Sequence, residues 1–179
     1  KVKDNRFREK DQNKRKDMVY WLNLGIRIYN MCMFSNKTTN VYIASKVYNA
    51  EHIKNSFSII KEKYYPYCNL ISSWIYEAGP GETECMKELW NRIEREIKES
   101  KYLVVYAKND DKLKGALVEV GIAITNDVNV LICGDMPRGL KTAKNHPNVY
   151  DEYVFDTIES VFEYIYNREY NRQKRNYFV

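Results

Sequence analysis

The chain has 179 residues, 44% hydrophobic, 30% charged and 14% aromatic, with only 7 Gly, 4 Pro and 4 Cys. That balance suits one globular domain with a real core and excludes collagen-like, low-complexity and disulfide-stapled chains. The net charge is +5, but residues 1–17 carry +4 and residues 167–179 carry +3, which leaves the stretch between them at −2. A nucleic-acid reader would carry its positive charge on a folded face, so no specific nucleic acid is expected as a partner. The basic ends read as solvated helix ends or frayed termini.

Cys32, Cys68, Cys85 and Cys133 are widely spaced, and neither His52 nor His146 lies near a cysteine in sequence. Ordinary zinc spacing is missing, so the expectation is reduced thiols, a cytoplasmic setting, no metal and no organic cofactor. No secretory signal is visible. The apolar stretch Met18–Phe34 is interrupted by Asn23, Gly25, Arg27 and Asn30. A membrane span needs about 20 predominantly apolar residues, so this stretch reads as a buried or subunit-facing element.

In chain order, Val41–Ala44 predicts a short strand and Ala50–Tyr64 a polar helix that Pro66 ends. Leu70–Ile75 predicts a second strand, and Gly79-Pro80-Gly81 a loop. Met86, Leu89, Trp90, Ile93 and Ile97 recur at helical spacing, which predicts a helix from Thr83, its N-cap, to about Ser100. Tyr102–Ala107 is a continuous apolar run, the mark of a parallel strand buried on both sides. Asn109–Lys112 predicts a loop, Gly115–Asn126 a buried helix, and Val128–Cys133 a strand closed by Gly134. After a loop to Pro147, Val149–Phe155 predicts the last strand. Asp156 or Thr157 then caps a helix with Ile158, Val161, Phe162 and Ile165 inward.

Strands alternating with helices imply βαβ crossovers: a small doubly wound α/β domain with a mainly five-stranded parallel sheet. Its ligand crevice is expected beyond the carboxyl ends of the strands, where strand order reverses. Neither a dinucleotide fingerprint nor a phosphate loop is present, which disfavours the usual oxidoreductases and NTPases.

The segment from Gly115 to Ile124 holds one charge, Glu119, among small or apolar residues. A buried carboxylate must be paired, neutral or at a site. Near the start of its helix, the dipole favours the ionised form. Gly115, Ala116, Gly121 and Ala123 would let this helix pack closely on the sheet, or let a ligand approach its backbone. Trp74 ends the expected second strand, where a flat ring would line the crevice. The competing readings are a structural Glu119 and a core Trp74.

Val41-Tyr42-Ile43-Ala44-Ser45, Ser72-Ser73-Trp74-Ile75 and the Gly115–Ala123 block, in that order, resemble the nucleoside 2-deoxyribosyltransferase-like family. Asn145-His146-Pro147-Asn148-Val149, ahead of a strand and a Thr-Ile-Glu-Ser helix, is similar to its C-terminal end. The resemblance covers residues 41–166, which sets off residues 1–40 as an extension and 167–179 as a basic tail. It implies a flavodoxin-like sheet and cleavage or exchange of the N-glycosidic bond of a (2′-deoxy)nucleoside or its 5′-monophosphate. Glu119 would attack the sugar and Tyr42 would orient it. Asp110 or Asp111, in the loop before the glutamate helix, would contact the nucleobase. Ser45 and Lys46 lie in the loop after the first strand, where Lys46 would pair with a 5′-phosphate. That loop is bulkier than in many relatives, and Ser100-Lys101 stands where many have an acidic residue.

The alternative is a binding protein of the same fold that captures a nucleotide or nucleotide-derived signal without cleaving it. A third is a structural or assembly module. Trp21, Leu22, Leu24, Ile26, Ile28 and Met31 need cover, and the family resemblance implies a homo-oligomer. A homodimer or larger assembly is therefore expected.

Overall fold

A computed structural model describes residues 38–64, 67–77, 85–108, 112–143 and 145–177. Met18–Phe34, Thr83, Asp110 and Asp111 lie outside the described residues. The strands are β1 (Thr39–Ala44), β2 (Cys68–Leu70), β3 (Tyr102–Ala107), β4 (Asn129–Gly134) and β5 (Val149–Phe155). The helices are α1 (Ala50–Tyr64), α2 (Met86–Glu99), α3 (Lys114–Thr125) and α4 (Ile158–Tyr177). All neighbouring strands are parallel, in the order β2-β1-β3-β4-β5. This is the flavodoxin-like doubly wound order, with its switch point between β1 and β3.

Every residue of central β3 is buried, because helices cover both faces of the sheet. α1 packs with α4 on one face, where the rings of Phe57 and Phe162 sit 5.9 Å apart. α2 packs with α3 on the other. α1 buries Ile53, Phe57, Ile60 and Tyr64, the three- and four-residue steps of one helical face. Thr157 caps α4: its Oγ1 accepts the Ser160 N–H at 3.1 Å. α4 continues to Tyr177, so most of the basic C-terminal end lies on this helix.

Three expectations change. The second strand stops at Leu70, and Ser73–Tyr76 form a 3₁₀ turn. The Ile71 N–H still bonds Val41 O at 3.0 Å, but side chains then take over from backbone. Ser72 Oγ accepts the Ile43 N–H at 2.6 Å, and the Trp74 indole N–H donates to Ile43 O at 2.9 Å. With both polar groups of Ile43 satisfied this way, the ladder has no further backbone partner there. Next, α2 is described from Met86 with Cys85 at its N-cap, and Met86 itself is exposed. Finally, α3 is buried on one side only. Ala116, Glu119, Val120 and Ala123 face inward, while Leu117 and Val118 are 36% and 53% exposed. A Cβ at Gly115 or Gly121 would meet nothing within 4 Å, so neither glycine serves close packing on the sheet.

Gly134 is the glycine the fold requires. Its φ is +82°, and a Cβ there would lie 2.0 Å from Ala107 O. The same carbonyl accepts the Asp135 N–H at 3.0 Å, which ties the tops of β3 and β4 together.

Candidate active site

Tyr42 lies in β1 beside the switch point, and its side chain points to the face covered by α2 and α3. Glu119 lies in the second turn of α3, directed inward. The Tyr42 hydroxyl donates to Glu119 Oε1 at 3.1 Å in a buried contact. Glu119 is only 7% exposed, and its Oε2 is buried with no hydrogen-bond partner among the described residues. A buried polar atom left without a partner is costly and needs an explanation.

Burial pushes the Glu119 carboxyl up to about 7; the Tyr42 hydrogen bond opposes the rise and the charge of Glu96 adds to it. The helix dipole does not hold Glu119 ionised as expected, because the dipole acts mainly within the first turn and desolvation outweighs it. Tyr42 rises far above the phenol range, first through burial and then through the charge of Glu119. It therefore stays protonated and remains a donor.

Two charged residues of α2 act on the pair, Glu96 on both members and Arg92 on Tyr42. Glu96 is 7% exposed, and its Oε2 accepts the Ser73 N–H at 3.1 Å. Arg92, one turn earlier, forms an ion pair with Glu77. Sequence reading missed both. The signal for Glu96 was its place three residues after Ile93 and one before Ile97, a charge on the inward stripe.

The other expected site residues are dispersed. Ser45 Oγ donates to Tyr106 O at 2.7 Å and accepts from Asn49 Nδ2 at 2.9 Å, which straps the ends of β1 and β3. The Lys46 ammonium sits 5.3 Å from the centre of the Tyr48 ring. Trp74 is in the core, on the 3₁₀ turn rather than a strand end, with its indole N–H committed to β1. Gly115 is exposed. A cleft of about 400 Å³ opens at the ends of β3 and β4, lined by Lys112, Leu113, Lys114, Leu117 and Arg138 among others, but not by Tyr42 or Glu119. Residues 117 and 119 are about 200° apart around the helix, so cleft and carboxylate flank α3 on different sides.

Among the described residues, no group of three or more His, Cys, Asp or Glu is placed to hold a metal ion. Nor is any helix among them long and apolar enough to cross a membrane.

No protein-family model and no curated protein matches the sequence. Solved structures resemble the chain, three of them as follows. A conserved protein from Enterococcus faecalis V583 aligns with a TM-score of 0.51 at 13% identity, over 73% of this chain and 99% of its own. A 2-deoxyribosyltransferase from Bacillus psychrosaccharolyticus has a TM-score of 0.49 at 13% identity, over 69% of this chain and 90% of its own. The CMP N-glycosidase BcmB of Clostridium botulinum has a TM-score of 0.49 at 11% identity, over 71% of this chain and 98% of its own. Strand order and the Enterococcus likeness agree: the chain has a flavodoxin-like α/β fold.

Proposed function

We propose that this chain cleaves or exchanges the N-glycosidic bond of a (2′-deoxy)nucleoside or its 5′-monophosphate, with Glu119 as nucleophile. The observation that carries the reading is the asymmetric carboxylate. Tyr42 fixes Oε1, while Oε2 is desolvated and without a partner among the described residues. Such an oxygen is oriented and reactive, and it has not yet spent its hydrogen-bonding capacity. The motif resemblance of residues 41–166 points to the same chemistry.

In the proposed reaction, Glu119 Oε2 bonds to the anomeric carbon as the bond to the base nitrogen breaks. The base leaves with that electron pair and takes up a proton. Positive charge develops on the sugar in between, and a carboxylate stabilises it as in retaining glycosidases. Water or a second base then attacks the same carbon and releases Glu119. Asp110 and Asp111 are the proposed partners of the base, and Lys46 of a 5′-phosphate. The acting form is ionised Glu119, which increases as pH rises through about 7.

The test is incubation with a panel of nucleosides and their 5′-monophosphates, with and without an acceptor base, and detection of free or exchanged base. Release that vanishes in Glu119→Gln supports the reading. A ligand-induced rise in melting temperature without release favours the binding protein instead, and no response to any member overturns both. The proposal includes a homodimer or larger assembly, because the apolar residues of Met18–Phe34 need cover. A monomer in micromolar sedimentation would remove that part.

A further inference from the structure

Two charges of α2 act on the reactive pair, and the more buried of them has a defined partner. Glu96 is 7% exposed, and its Oε2 accepts the backbone N–H of Ser73 at 3.1 Å. Ser73 opens the turn whose neighbours Ser72 and Trp74 take both polar groups of Ile43, the residue after Tyr42 in β1. Glu96 thus holds down the turn that finishes the edge of β1. It does so from the helix that packs beside α3 on the Tyr42 face.

We propose that Glu96 is a positioning residue of the Glu119 site: it fixes the turn after β2 against β1 and adds a second negative charge to the surroundings of the Tyr42–Glu119 pair. This rests on the reading of Glu119 as nucleophile. A buried carboxylate retained at a desolvation cost, with a backbone donor at Oε2, suits an electrostatic role. Its field opposes ionisation of Glu119 in the resting protein, which makes that carboxylate more basic. The same field favours positive charge once that develops on the sugar.

Among the described residues, the groups that act on the pair come from few elements. β1 contributes Tyr42, and α2 contributes Glu96 and Arg92; Arg92 is ion-paired with Glu77 and acts on Tyr42 in the opposite sense to Glu96. The titratable residues of β3 and β4 serve the other face. Tyr102 bonds Glu169 of α4, Tyr106 stacks on His52 of α1, and Cys133 feels Glu159 and Asp156.

The experiment is a carbon-13 carboxyl NMR titration of glutamate-labelled protein, with the Glu119 signal assigned by its loss in Glu119→Gln. In the unmodified chain its midpoint is expected near 7. In Glu96→Gln, whose amide oxygen can still accept the Ser73 N–H, the midpoint falls measurably and stays above 4.5, because burial remains. Glu96→Asp, with its charge drawn back, gives a smaller fall. An unchanged midpoint in both variants overturns the proposal. Loss of the folded state in both also overturns it, since Glu96 would then be a structural strut. No substrate is needed, so the result stands apart from the base-release assay. If base is released as well, the acidic limb of its pH profile moves down with the midpoint.

Discussion

Two buried glutamates of this chain each accept a hydrogen bond from a core tyrosine, yet they are finished differently. Glu169 of α4 takes the Tyr102 hydroxyl at 2.6 Å on Oε1 and forms an ion pair with Lys101 through Oε2. Both oxygens are used and a cation balances the charge. Glu119 takes the Tyr42 hydroxyl on Oε1, has nothing on Oε2 among the described residues, and has Glu96 rather than a cation as its charged neighbour. Tyr102 begins β3, at the amino end of the strand, and its Glu169 lies under the α1–α4 face. Tyr42 and Glu119 lie beneath α2 and α3, next to the switch point. The comparison separates a carboxylate with both oxygens engaged from one with an oxygen left over, the contrast on which the proposed role of Glu119 rests.

The sharpest way to break that contrast is Glu119→Gln. Base release should fall by on the order of 10⁴-fold, while the fold survives and gains stability above neutral pH. Unfolded, the carboxyl ionises from about 4.5; folded, it ionises only from about 7. Between those values the folded state holds the extra proton, so stability falls as pH rises through the window and then levels off. The ionised group therefore costs on the order of 3 kcal/mol at pH 8 and almost nothing at pH 4. Urea melts at both pH values should show Glu119→Gln more stable at pH 8 only. A loss of stability at both would make Glu119 a structural residue.

Glu169→Ala should behave in the opposite way. It strands the buried Tyr102 hydroxyl and should lose about 1–3 kcal/mol, without any specific effect on base release per folded molecule. The half-exposed Lys101 can turn to water and adds little. A drop in release beyond the unfolded fraction would contradict the division between the two sites.

The tyrosines sharpen the comparison further. Tyr42→Phe removes the bond that holds the Glu119 carboxyl down, so its titration and the acidic limb of base release should both move to higher pH. Tyr102→Phe should cost about 1 kcal/mol and leave that limb where it was. Identical pH profiles for the two variants would count against Tyr42 as the orienting group. The smallest effect is expected at Gly115→Ala. A Cβ there meets open space and alanine favours a helix, so thermal melting should rise by up to about 1 kcal/mol in stability. If base release is lost as well, a ligand approaches that backbone.

Much of this could be read from the residues in order. The apolar run Tyr102–Ala107 matches β3 end to end, because a central parallel strand has both faces buried and needs no polar alternation. Glu119 stood out as the one charge in a small and apolar stretch, and its burial follows from the inward spacing of Ala116, Val120 and Ala123. Other features were not readable. Leu70–Ile75 looks like a strand by composition, and nothing local reveals that Ser72 and Trp74 spend their side chains on Ile43, 29 and 31 residues away. Glu96 lay hidden among the many charges of an exposed helix.

The sequence by itself determined the order of strands and helices, the doubly wound class and the candidate carboxylate. Those depend on short-range periodicity and on the cost of burying a charge, both written along the chain. The pairing of Tyr42 with Glu119 across 77 residues was implied only by the family resemblance; the tertiary structure supplied the contact, put Trp74 in the core and set the charge of Glu96 against that of Glu119. Those are distances between side chains on different elements. They are set when α2 and α3 pack on the β1 face, and no local pattern records them.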